Sequence, residues 1–245
     1  MPLPARRKTE SVMNPIIRNI PNSITCLNLV AGVMAVICAF KGADSLWGMQ
    51  AYYWAFIFIG IAALADFLDG FAARLLHAYS SLGKELDSLC DLVSFGVAPA
   101  MIMFNCLEIT SFSPWIKWTA ILIPVAGALR LAKFNIDTRQ TTSFIGLPIP
   151  ANAIFWIGYA AMLYGGSEPL GTWYWWLAIL LVECWLMISP VRLFSLKFKS
   201  WGWKGNEFRW LLIITAIAMV AIMGLPGLMW LIVAYVGYGL FDSQK

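Results

Sequence analysis

Charge, histidine and metal-type cysteine spacing are scarce in this sequence. Only 12% of its 245 residues are charged, while 60% are hydrophobic. So much apolar surface exceeds what one water-facing core can hide, which excludes an ordinary soluble domain and makes lipid the natural solvent. The lone histidine, His77, cannot build a metal cluster by itself and is read as an interfacial residue. The cysteines Cys26, Cys38, Cys90, Cys106 and Cys184 sit mostly in apolar runs without C-x-x-C spacing. Neither a disulfide framework nor a zinc site is expected, and the five are read as packing residues. The polar start, with Arg6, Arg7, Lys8 and Arg18, lacks a small-residue cleavage pattern before its late apolar run, so no signal peptide is expected. There is no internal repeat or low-complexity tract, and no nucleic-acid partner is expected.

What is present is a series of apolar runs. A bilayer core needs about 20 mostly apolar helical residues per crossing. Runs at 23–40, 51–75, 87–107, 115–134, 148–165, 172–190, 208–223 and 226–241 can serve. The expectation is an all-α integral membrane protein of about eight transmembrane helices with both termini cytoplasmic. Residues 1–22 would form a cytoplasmic N-terminal segment and residues 23–245 one transmembrane domain. The last two runs are short and separated by Gly224 and Pro226, as in a tight hairpin or one broken helix.

With eight crossings, all of the 17 Lys and Arg except Lys41 and Lys117 fall on the side of the termini. That side includes Arg6, Arg7, Lys8, Arg18, Arg139, Lys197, Lys199, Lys204 and Lys245. The asymmetry is the positive-inside pattern; it marks that side as cytoplasmic, and shifting the count by one helix before residue 190 would spoil it. Tryptophans agree, with Trp47, Trp54, Trp115, Trp118 and the cluster from Trp173 to Trp176 at outer helix ends and Trp201, Trp203 and Trp210 at inner ones.

Against this apolar background, four aspartates enter the membrane zone. Asp66 and Asp69 are three apart, and Asp87 and Asp91 are four apart, so each pair lies on one helical face. The short turn between the two helices predicts antiparallel neighbours with both pairs at the cytoplasmic end. Buried like charges need a cation to neutralise them. Carboxylate ligands without nearby His or Cys favour Mg²⁺ or Mn²⁺ over zinc, and four acids suit two ions about 3.5 to 4 Å apart. Such a site binds phosphates. Gly70 and Gly83 would let a nucleotide or pyrophosphate approach the backbone, and Arg74 offers a fork-shaped phosphate partner. Helix–helix salt bridges are the bland alternative, but Arg74 and Lys84 are too few to pair with Asp66, Asp69, Glu85, Asp87 and Asp91.

The string D-x2-D-G-x2-A-R-x8-G-x3-D-x3-D, at Asp66, Asp69, Gly70, Ala73, Arg74, Gly83, Asp87 and Asp91, resembles the signature of the CDP-alcohol phosphotransferase family without departure. The resemblance implies that Asp66, Asp69 and Asp87 hold metals, that Asp91 adds a ligand and acts as general base, and that Gly70 and Arg74 contact the CDP portion. It also implies a homodimer. The segments from Pro21 to Asn28, Arg130 to Asn135 and Phe144 to Ala151 look like the phosphatidylserine synthase branch. CDP-diacylglycerol and L-serine are then the expected substrates, within a catalytic motif spanning residues 66–91 in the inner membrane.

In that reading a carboxylate must take the proton of the serine hydroxyl, which is a poor nucleophile at neutral pH. Asp91 is the candidate, the alternative being that it is only a metal ligand. Asn22, Thr25 and Asn28 are candidate CDP-lipid contacts, with helix capping as their ordinary alternative. Arg130 and Lys133 are candidate receptors for the serine carboxylate or else positive-inside anchors. Asn135 and the turn from Gly146 to Pro150 would shape the serine pocket, although Pro148 and Pro150 also suit the lead-in to a helix. Glu183, inside an apolar run, has no assigned role. Other acceptors (glycerol 3-phosphate, inositol phosphate, ethanolamine or choline) and an isoprenoid ether CDP-lipid remain open, and so does a cation transporter. The clustering of the acids at one helix end and the lack of a repeat disfavour transport.

Overall fold

The computed structural model describes residues 15–109, 114–137, 143–166, 173–194, 202–203 and 205–242, with residues 15–18, 143–144 and 242 described by backbone alone. Arg6, Arg7, Lys8, Arg139, Lys197, Lys199, Trp201, Lys204 and Lys245 lie outside the described residues.

The first helix starts upstream of its apolar run: α1 is Pro15–Lys41, with Pro21 inside it. Pro21 is the seventh residue of α1, beyond the first turn, and lacks the N–H that an interior helical residue donates. Hydroxyls occupy the carbonyls around it, Ser23 Oγ donating to Asn19 O at 3.1 Å and Thr25 Oγ1 to Pro21 O at 3.0 Å. Asn22, Thr25 and Asn28 therefore lie within a helix, not at its N-cap as their polar segment suggested.

After the two-residue strands β1 (Ser45–Leu46) and β2 (Met49–Gln50), the proline-free run Ala51–Leu75 forms α2. α1 packs along α2 through small side chains, Ala31, Ala35 and Ala39 facing the interior with Ala55, Ala62 and Ala65. Small residues let helix backbones approach closely where lipid gives no hydrophobic drive to association. The opposite face of α2 exposes Ile57, Ile61, Leu64, Phe67 and Phe71, as a lipid-facing surface requires.

The third span begins six residues before its predicted start because Ser80 caps it, its Oγ accepting from Gly83 N at 2.9 Å. It runs as α3 (Ser81–Asp91), a π-helical segment (Leu92–Val97) and α4 (Ala98–Glu108). A 3₁₀ segment (Ile116–Ile121) leads into α5 (Leu122–Ile136). β3 (Ser143–Ile145) pairs antiparallel with β4 (Arg192–Phe194). Between these strands lie α6 (Ile149–Tyr164) and α7 (Trp173–Ile188). Pro148 is extended before α6 and Pro150 sits in its first turn, so both prolines shape that helix start. Gly146 has φ +77°, and a Cβ there would run into the Met187 carbonyl.

α8 (Glu207–Met223) and α9 (Gly227–Asp242) pack together as the tight hairpin, turning at Gly224 with φ +65°. The protein is an all-α multi-pass membrane protein with, among the described residues, two minor ribbons. Among the described residues, four helical units are long and apolar enough to cross a membrane: Asn19–Lys41, Ala51–Leu75, Ser81–Glu108 and Ile116–Ile136. α6, α7 and α9 are apolar but shorter. The core they enclose centres on Phe95, Met103, Ile123, Trp156 and Trp176. All five cysteines are free.

Candidate active site

The helices that carry the acids, α2 and α3, are held together through α1. Both helices pack against α1, and α1 has more contact with each of them than they have with one another. The turn between them passes through His77 at φ +50°, which is exposed. A pocket of about 210 Å³ results, bounded by Asn22 and Thr25 of α1, Asp69 and Gly70 of α2, and Gly83, Lys84 and Asp87 of α3, with Tyr79 and Ser80 closing the turn side.

One carboxylate oxygen from each of Asp66, Asp69 and Asp87 lies within 4.8 Å of the others. Asp69 is buried, and its Oδ2 and Asp87 Oδ1 have no hydrogen-bond partner. No ion pair to these acids is present among the described residues. Buried carboxylate oxygens without donors are costly unless a cation joins them, and an all-oxygen donor set fits a hard divalent ion. The trio fits a divalent-metal site.

Asp91 lies one turn beyond Asp87 and outside that trio. Its Oδ1 accepts from Asn28 Nδ2 at 3.0 Å, both residues being buried. Thr25 interacts with Asp69 from the same helix. Ser94, in the π segment, donates to the Asn28 carbonyl at 3.0 Å. A Cβ at Gly83 would press on Asn22 Oδ1 at 2.9 Å, so that glycine permits close α1–α3 approach. At Gly70 a Cβ would meet nothing within 4 Å; packing within the chain does not demand that glycine.

Arg130 is buried on α5 and interacts electrostatically with Asp91 and Asp66. Its guanidinium stands 5.2 Å from the Phe134 ring centroid, and Tyr235 of α9 lies in its field. The remaining candidates are placed differently. Lys133 is exposed, and its Nζ donates to Ile188 O at 3.1 Å, capping α7. Asn135 Nδ2 donates to Ser88 Oγ at 2.9 Å, while Lys84 Nζ donates to Asn135 O at 2.7 Å, so the end of α5 is tied to α3. Arg74 is exposed and does not line the pocket. Glu183 is buried in α7 with Oε2 unpartnered, away from the trio.

Sequence reasoning did not single out Ser94, Ser80, Tyr79 or Tyr235. Ser80 had a local signal, a serine just before a helical run. Ser94 and Tyr235 had none, because a π turn and a contact spanning more than a hundred residues leave no periodic trace.

The profile of the CDP-alcohol phosphatidyltransferase family matches residues 18–188. The chain belongs to this family. Among curated relatives, a protein of Mycobacterium leprae is 35% identical over 164 residues, covering 63% of this chain and 51% of the relative. One of Bacillus subtilis is 39% identical over 132 residues, 54% of this chain and 69% of the relative. One of Helicobacter pylori is 29% identical over 230 residues, 90% and 89% of the two chains. Each of the three is named a CDP-diacylglycerol–serine O-phosphatidyltransferase. The chain spans about half the length of the Mycobacterium leprae relative, 51%. Asp66, Asp69 and Asp87, and with them Arg130, fall inside the segment matched to the CDP-alcohol phosphatidyltransferase family; α8 and α9 fall outside it.

Proposed function

We propose that this chain transfers the phosphatidyl group of CDP-diacylglycerol to the hydroxyl of L-serine, giving phosphatidylserine and CMP. The observation that carries the proposal is the convergence of Asp66, Asp69 and Asp87, two of which, Asp69 and Asp87, line a pocket wide enough for a phosphate group inside the segment that matches the family. The activity for which the relatives are named supports the choice of serine.

Asp66, Asp69 and Asp87, with Asp91 beside them, would hold two divalent ions, Mg²⁺ or Mn²⁺. The chemistry such ions supply when bound is neutralisation of the pyrophosphate and of the charge on departing CMP. The chain's own residues do the rest. Gly70 and Gly83 leave the pocket wall low where the CDP group enters, Asn22 and Thr25 offer polar atoms to it, and Arg74 stands nearby for its phosphates. Asp91 takes the proton of the serine hydroxyl as that oxygen bonds to the lipid-linked phosphorus, while the bond from phosphorus to the CMP oxygen breaks. Arg130 receives the serine carboxylate, a pairing its planar fork suits. Lys133 and Asn135 hold α7 and α3 against the pocket and complete its serine side.

The site would face the cytoplasm from the inner membrane, with eight crossings, both termini inside and two copies of the chain forming a homodimer. The charge asymmetry of the loops supports the orientation. The deciding experiment incubates purified protein with CDP-diacylglycerol, Mg²⁺ or Mn²⁺, and radiolabelled L-serine. A labelled lipid appearing together with CMP, and abolished by EDTA, is the expected result. Release of CMP only with another alcohol would overturn the acceptor while leaving the site.

A further inference from the structure

We infer that Asn28 is a positioning residue for Asp91, so that α1 sets the direction in which the proposed general base works. The inference rests on the proposed role of Asp91. Asn28 is 0% exposed and its Nδ2 lies 3.0 Å from Asp91 Oδ1. A carboxylate only accepts hydrogen bonds, so the amide must present its NH₂ group to Asp91 and turn its own oxygen away. That bond occupies Oδ1 of Asp91. Oδ2 has no hydrogen-bond partner among the described residues and is the oxygen left for the hydroxyl proton of the acceptor.

Asn28 is itself held. Ser94 Oγ donates to its backbone carbonyl at 3.0 Å, and Gly32, one turn further along α1, is the only residue type whose lack of a side chain admits Ser94 so close. The clamp therefore joins Asp91 to α1 on both sides of the helix–π boundary.

Asn28 Oδ1 is fully buried and unpartnered. A core asparagine with half of its amide unsatisfied is a poor packing residue compared with leucine, because an orphaned polar atom keeps its desolvation cost. A site selected for stability alone would not hold it. This also separates Asn28 from Asn22 and Thr25, which line the pocket while Asn28 does not.

The test compares Asn28→Leu and Asn28→Asp with the parent in a steady-state assay of CMP release, using whichever alcohol the parent turns over. Thermal unfolding in detergent is measured alongside. For Asn28→Leu the expected outcome is a fall in kcat of about 10- to 100-fold, both KM values within about twofold, and a cooperative unfolding transition that shows the variant is folded. Asn28→Asp, which sets carboxylate against carboxylate, is expected to lose more turnover than Asn28→Leu at nearly the same size, and it carries the test if the leucine variant does not fold. A rise in KM for CDP-diacylglycerol at constant kcat would make Asn28 a lipid-substrate contact and overturn the inference. Parental turnover in both variants would do the same. Failure of the parent with serine, followed by turnover of another alcohol, would sink only the acceptor assignment.

Discussion

Asn135 Nδ2 donates to Ser88 Oγ over 2.9 Å, joining the last turn of α5 to the helix that carries Asp87 and Asp91. Lys84 reinforces the joint from the same helix by reaching the Asn135 carbonyl. Asn135→Ala is expected to destabilise the protein by about 1 kcal/mol, the net worth of one such bond. Thermal unfolding in detergent measures this. The variant should lose several-fold in kcat with little change in KM for serine; a selective rise in that KM would instead mark Asn135 as a direct serine contact.

Asp91→Asn should still bind CDP-diacylglycerol yet abolish transfer, because an amide cannot accept the hydroxyl proton. Asp66→Asn should weaken metal binding as well, since it removes one of three converging carboxylates. Titration with Mn²⁺ followed by electron paramagnetic resonance separates the two variants. Full turnover by the Asp91 variant would end its assignment as general base.

Arg130→Lys keeps the charge and should nevertheless fail. The guanidinium is buried 5.2 Å from the Phe134 ring centroid, in the electrostatic field of Asp91, Asp66 and Tyr235. An ammonium can neither fork onto a carboxylate nor stack in the same manner. The expected loss in kcat/KM for serine is about 10- to 100-fold, equivalent to about 1.4 to 2.7 kcal/mol. Near-parental kcat/KM would remove Arg130 from the acceptor site.

Gly146→Ala tests the β3–α6 junction. Its φ of +77° is unfavourable for any side chain, and the new Cβ would press on the Met187 carbonyl. Destabilisation of about 1 to 3 kcal/mol is expected, read as a lowered unfolding midpoint. An unchanged midpoint would show that the junction relaxes freely.

The acid trio was legible because its signal is local. Asp66 and Asp69 share a face at a spacing of three, and a short polar turn brings Asp87 back to them. Helix α2 was equally plain, its apolar run coinciding with Ala51–Leu75. Two starts were misplaced for physical reasons. α1 extends back to Pro15, a residue suited to a first helical turn, and α3 begins at Ser81 because Ser80 caps it. Neither device depends on hydrophobicity.

Long-range polar contacts were the illegible part. Lys133 looked like an anchor or a substrate receptor, and its ammonium lies on the Ile188 carbonyl. The positively charged residues could be counted from the sequence, but their partners belong to helices dozens of residues away. The expected direct pairing of the acid-bearing helices was also incomplete, because α1 packs against both of them. Hydropathy ranks segments by burial and says nothing about which buried segment lies between which others.

The π segment Leu92–Val97 has a consequence beyond the hydroxyl it aims at α1. A π turn inserts an extra residue into helical phase, so the two halves of the third span are wound out of step. Below the slip, side-chain azimuths answer to the carboxylates; above it, from Ala98 to Glu108, they answer to the apolar core around Met103 and Cys106. One continuous rod thus carries two angular registers at a fixed offset, so that the carboxylates and the apolar core can each face their own neighbours.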